Sequence, residues 1–186
     1  MFIKFKTNDN ETKELANEAL QNWLELVGQE YTLRCIPQQI VYIKPIKQMP
    51  TWDKSFLKDK IRDRDFTMMT VANSPHIQKT FSTYEPTIYF LEHYLQLNKI
   101  KKYNFLLHEL GHLLGFPHID IFDYGMRKIF PIETIIKIEE QKLSSIMQKG
   151  KATKSKQQLN LSIIEKQLFE KFLKYATDPI SIFYND

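Results

Sequence analysis

Cysteine is almost absent from this chain. Cys35 stands alone, so no intrachain disulfide can form and a disulfide-stapled secreted scaffold is excluded. Glycine and proline are sparse as well, five and eight in 186 residues, which excludes collagen-like and linker-dominated chains. No apolar run approaches the ~18–20 residues of a membrane-spanning helix, so no membrane partner is expected. The N-terminus, MFIKFKTNDNETKE, breaks every apolar stretch with charged or polar residues. It offers neither the apolar centre nor the small-residue cleavage site of a secretory signal. The expectation is a cytoplasmic protein, or one exported without a recognisable signal. Charge of one sign is not in large excess: 26 Lys plus Arg against 22 Asp plus Glu give +4. That is too little to argue for a nucleic-acid partner.

What the chain does have is enough apolar material for a core, 42% hydrophobic residues against 26% charged ones, with no internal repeat. Phe2 to Lys6 alternates apolar and basic residues like a half-buried strand. Asp9 or Asn10 then caps a helix whose apolar positions are Leu15, Ala16, Ala19, Leu20, Trp23, Leu24 and Val27, and Gly28 stops it. Strands are expected at Ile40–Ile46, Phe66–Ala72 and Thr87–Leu91, with the charged segment 53–65 a short helix or loop. Leu106, Leu107, Leu110, Leu113 and Leu114 recur at helical spacing, which predicts a second helix over Ile100–Leu114, ended by Gly115 and Pro117. Beyond it the pattern predicts a short helix near Pro131–Leu143 and a basic loop with Lys149, Lys151, Lys154 and Lys156. A last helix follows from Ser162, where Ser162 and Glu165 have capping-box spacing. The class is α+β.

The segment that carries chemistry is His108-Glu109-Leu110-Gly111-His112-Leu113-Leu114-Gly115-Phe116-Pro117-His118. Positions i and i+4 share a helix face, so His108 and His112 can aim two imidazoles at one point. Gly115 can take a left-handed conformation and turn the chain back, bringing His118 in as a third ligand. Three imidazoles leave the fourth corner of a tetrahedral zinc open to water, the arrangement of a catalytic site. Zinc lowers the pKa of such a water towards ~7 and polarises a carbonyl. Glu109, beside the first ligand, is placed to act as general base and then as proton donor to the leaving amine. A short HExxH on a helix arises by chance often enough to be weak. The longer pattern uses three of only five histidines, and one Zn2+ is the cofactor expected. A closed structural zinc fits less well, since it gives Glu109 no role and usually takes cysteine ligands.

At these residues the sequence resembles the metzincin zinc peptidases, whose signature is HExxHxxGxxH followed by a methionine-containing turn. Ser144-Ser145-Ile146-Met147-Gln148 is similar to that turn, and the resemblance implies that Met147 lies beneath the zinc ligands as an apolar base. Ala19-Leu20-Gln21-Asn22-Trp23 looks like the first helix of matrixin-type catalytic domains, and Leu161-Ser162 like the start of their last one. The resemblance implies a two-lobed zincin fold. Residues 1–118 would form a lobe with a twisted mixed sheet and two helices. Residues 119–186 would form a lobe with the Met-turn and the terminal helix. Departures are visible: Ile119 follows the third histidine, and the stretch from His118 to Met147 is longer than in matrixins. No tyrosine follows Met147 at the astacin spacing, and no second His/Asp cluster exists for a structural zinc.

The function implied is a monomeric zinc metalloendopeptidase hydrolysing protein or peptide substrates. An extended substrate would pair with an edge strand mapped onto Phe66–Asn73, with Thr70, Val71, Ala72 and Asn73 as substrate-binding positions. Arg34-Cys35-Ile36-Pro37 has a slight likeness to a cysteine-switch motif, but too little chain would separate it from His108, and Cys35 reads better as a small buried residue. His76 and His93 are isolated and read as surface or locally bonded residues, and the lysines from Lys149 to Lys156 as a solvated loop. Two alternatives stay open: a narrow-specificity effector or toxin cutting one partner protein, and a catalytically silent zinc-holding protein, against which the intact Glu109 argues.

Overall fold

The computed structural model describes residues 2–49, 68–71, 85–116 and Met147. These form a mixed α/β unit in which three helices accompany a four-stranded sheet. Strand β1 (Lys4–Lys6) buries Phe5 and exposes both lysines. A three-residue connection leads to α1 (Asn10–Val27), capped at Asp9. The Asp9 carboxylate accepts from the Thr12 backbone N–H at 2.9 Å and from the Thr12 hydroxyl. Those bonds hold its pKa below the usual carboxylate value. The buried stripe of α1 is Thr12, Leu15, Ala16, Ala19, Leu20, Trp23 and Val27, the i, i+3, i+4 recurrence of one helix face.

Gly28 takes φ 82, a left-handed value that suits glycine. Its N–H bonds the Leu24 carbonyl at 2.9 Å and closes α1, while its own carbonyl accepts from Thr32 and opens α2 (Gln29–Cys35). This short helix is an addition to the two helices expected for this part of the chain. One glycine thus stops a helix and starts another, and seven residues are too few to show a helical period. Strand β2 (Ile40–Pro45) follows, and its end passes into a 3₁₀ turn at Ile46–Gln48, one residue earlier than expected.

Strand β3 (Met68–Val71) falls inside its sequence window, the rest of which lies outside the described residues, and β4 (Thr87–Phe90) ends one residue before its own. The sheet order is β1-β2-β4-β3, with β1, β2 and β4 parallel and β3 antiparallel to β4. Phe5 pairs with Val41 and Ile43 with Ile88, which gives the core a continuous apolar face. Central β4 is buried along its whole length, as expected of a strand with neighbours on both sides. After a 3₁₀ turn at Glu92–Gln96, Asn98 caps α3 (Lys99–Leu113) by accepting from the Lys101 N–H at 2.9 Å.

Helices α1 and α3 pack together on the core side. Lys102 of α3, almost fully buried, forms an ion pair with Glu11 of α1, and the Asn22 amide donates to the Tyr103 hydroxyl. No helix among the described residues is long and apolar enough to cross a membrane. The expected helix near Pro131–Leu143, the basic loop, the terminal helix from Ser162 and the segment 53–65 lie outside the described residues, as does the division at residue 118. Loss of the α1 cap is a direct check on how this unit is held. Asp9→Ala should lower unfolding free energy by ~1 kcal/mol in urea denaturation, with the far-UV spectrum unchanged below the transition.

Candidate metal centre

Helix α3 presents Leu106, Leu107, Leu110 and Leu113 to the core, and all four are buried. That choice of face decides where the polar positions go. His108 and His112, one turn apart, are half-buried at the margin of the core, whereas Glu109 is 5% exposed. The two imidazole centroids lie 4.7 Å apart with the rings perpendicular. Two histidines sharing one tetrahedral zinc at ~2.0–2.1 Å would place their centroids about 5 Å apart, so the observed pair fits a shared ion.

The end of α3 settles which nitrogen of His112 carries the proton. Gly115 takes φ 87, and its N–H bonds the His112 carbonyl at 3.0 Å while the Phe116 N–H bonds the Gly111 carbonyl at 2.9 Å. These two bonds make a Schellman termination, which consumes carbonyls that the helix end would otherwise leave without partners. The turn carries the Phe116 carbonyl back to 2.8 Å from Nδ1 of His112. A carbonyl oxygen can only accept, so Nδ1 carries the proton and Nε2 keeps its lone pair. In metal sites a carbonyl bond of this kind at one ring nitrogen orients the other. Burial first, then proximity to His108, push the His112 pKa down to about 4, against the Glu109 carboxylate and the Phe116 carbonyl, which pull it up. The ring is therefore neutral at pH 7, the form that binds metal.

Under α3 the packing at Gly111 is close. A Cβ placed there would overlap Sδ of Met147 and come within 2.8 Å of Cζ2 of Trp23 and 3.1 Å of Cε of Met147. Met147 and Trp23 are both fully buried, and the Trp23 ring stacks at a tilt on Phe116, centroids 4.9 Å apart. Met147 therefore reaches α3 between the turns that carry His108 and His112, and only a glycine admits it.

Other expected site residues are placed as follows. Thr70 and Val71 lie in β3, at one end of the sheet order. Ala72, Asn73, His76 and His118 lie outside the described residues, and among the described residues no three metal-binding side chains gather at one point. His93 is exposed on the 3₁₀ turn before α3. Cys35 is buried, with Sγ 3.8 Å from the Leu114 carbonyl. The Tyr31 hydroxyl donates to that same carbonyl at 2.8 Å. The supporting roles of Tyr31, Trp23 and Phe116 were not visible from apolar spacing. Gly111, a poor helix former in mid-helix, is the one residue whose type signals the close approach.

No protein-family model, no curated protein and no solved structure matches this chain.

Two measurements test this geometry. Glycine to alanine inside a helix ordinarily stabilises by roughly 0.5–1 kcal/mol, but Gly111→Ala should destabilise by about 1–3 kcal/mol through overpacking. Chemical denaturation reads the sign. The second is acid titration of the metal-free protein. The unfolded chain protonates His112 near 6.5 and the folded chain only near 4. Stability should therefore fall as pH drops through that window, because the unfolded state binds the extra proton. A His112→Asn variant should lose that part of the pH dependence.

Proposed function

We propose that this chain is a zinc-dependent endopeptidase of metzincin-like fold, hydrolysing peptide bonds in protein or peptide substrates. The observation that carries the reading is the His108–His112 pair. Its two rings have the spacing of shared ligands, and His112 is already oriented through its Nδ1 contact with the Phe116 carbonyl. The position of Met147 against Gly111 supports it, as does the α/β order of elements up to α3.

In this reading His108, His112 and His118 hold the ion through neutral imidazoles. Zinc held this way supplies Lewis acidity towards the attacking water and the scissile carbonyl. Glu109, adjacent to His108 and buried, takes the proton of the attacking water on its carboxylate. It then delivers that proton to the departing amine. The Phe116 carbonyl keeps the His112 ring from turning during these transfers. Thr70 and Val71 of β3 would align an extended peptide through main-chain hydrogen bonds, as strand addition does elsewhere. Met147 and the chain after it would contribute the wall that receives the side chain following the cut.

Profiling against a peptide library tests the assignment. Glu109→Ala should retain zinc at the parent's stoichiometry while hydrolysis falls by at least ~10²-fold. A variant that cleaves as well as its parent contradicts the mechanism. Zinc-loaded parent that cleaves nothing in the library, nor in proteome-wide mapping of new N-termini, contradicts the peptidase reading itself.

A further inference from the structure

Trp23 lies on α1, yet three of its contacts fall on the segment that holds the two imidazoles. Its indole Nε1–H donates to the Leu107 carbonyl at 2.8 Å, immediately before His108. Its Cζ2 lies against Gly111, immediately before His112. Its ring stacks on Phe116, whose carbonyl holds Nδ1 of His112. We infer that Trp23 is a positioning residue for the metal centre, fixing the rotation of α3 about its own axis so that both imidazoles point at one ion. The inference rests on the zinc reading above and names a residue that the motif does not contain.

The physical reason lies in the difference between apolar and directional contacts. A helix packed only through leucines can roll or slide a little at small cost, since burial is non-directional. An imidazole tip stands roughly 5–6 Å from the helix axis, so a ~10° roll displaces it by about 1 Å. Such a displacement matters for a ligand set that must converge on one ion. The hydrogen bond to Leu107 resists that roll because it has a donor direction and a fixed acceptor. In a helix this carbonyl is also the acceptor for the Gly111 N–H, so the indole grips the turn between the two ligands. Burial makes the grip stringent: Trp23 is fully buried, and α3 cannot leave without orphaning the indole N–H. The stacked Phe116 ring extends the hold beyond Gly115, to the residue that sets the His112 tautomer.

The test compares three proteins with the parent: Trp23→Phe, which loses the donor and part of the ring; the isostere with sulfur in place of Nε1–H installed at position 23, which loses the donor alone; and Val41→Ala, a cavity control at a fully buried position of β2. Zinc affinity is read by chelator competition and ligand geometry by the visible spectrum of the cobalt-substituted proteins. Trp23→Phe and the sulfur isostere should bind zinc roughly 10-fold or more weakly, the scale of effect for outer partners of metal ligands, with altered cobalt bands. Val41→Ala, although less stable, should match the parent in both. If the isostere binds zinc as tightly as the parent and leaves the cobalt bands unchanged, the inference is overturned while the metal reading stands. A parent chain that binds no zinc overturns the metal reading, and this inference with it.

Discussion

Phe116 returns towards α3 through the left-handed Gly115, and its carbonyl meets Nδ1 of His112 at 2.8 Å. Much of what the site can do depends on that contact. It assigns the proton of the ring, keeps the lone pair on Nε2, and removes the rotational freedom that a marginal histidine would otherwise keep. The backbone delivers the carbonyl, because the Schellman bonds from Gly115 and Phe116 close the helix in one way. Side chains then lock the turn. Tyr31 donates to the Leu114 carbonyl and Phe116 lies under the Trp23 ring.

A second constraint works from below. Gly111 costs α3 helical propensity, about 1 kcal/mol relative to alanine, and in exchange admits Met147 and Trp23 to the helix backbone. The core around them is dense and apolar, with Leu106, Leu107 and Leu110 fully buried. A functional side chain is only as well placed as the element that bears it. Here that element is held by an indole hydrogen bond, an ion pair between buried Lys102 and the more exposed Glu11, and close packing at one glycine. The histidines thus sit on a rigid support at the margin of the core, where one face of α3 leaves it.

Much of this unit was legible in the sequence, for identifiable reasons. The stripes of α1 and α3 are long enough to show a helical period, and Asp9, Gly28 and Gly115 mark their ends by residue type. Strand windows were found from their apolar runs, and β2 and β4 each end one residue before their windows, where Ile46 and Leu91 are only half-buried. Helix α2 was not legible, since Gly28 reads as a stop and the following seven residues show no period. At the site, i, i+4 spacing suffices to bring His108 and His112 together, because a helix converts spacing into proximity. The Trp23 hydrogen bond, the Phe116 carbonyl and the Tyr31 contact were not legible. Each is a polar contact made by a residue whose apolar character explains its burial equally well. The close approach at Gly111 went unread as well, although a glycine in mid-helix is an unfavourable residue whose benefit is the space it leaves.

The central claim is that α3 offers two oriented imidazoles to an ion completed from beyond Gly115, with one position left for water. X-ray absorption at the zinc edge on stoichiometrically loaded protein addresses it most directly. The account predicts three imidazole nitrogens and one oxygen in a four-coordinate shell at about 2.0–2.1 Å. A shell closed by four protein side chains, or fewer than three imidazoles around the ion, would contradict it.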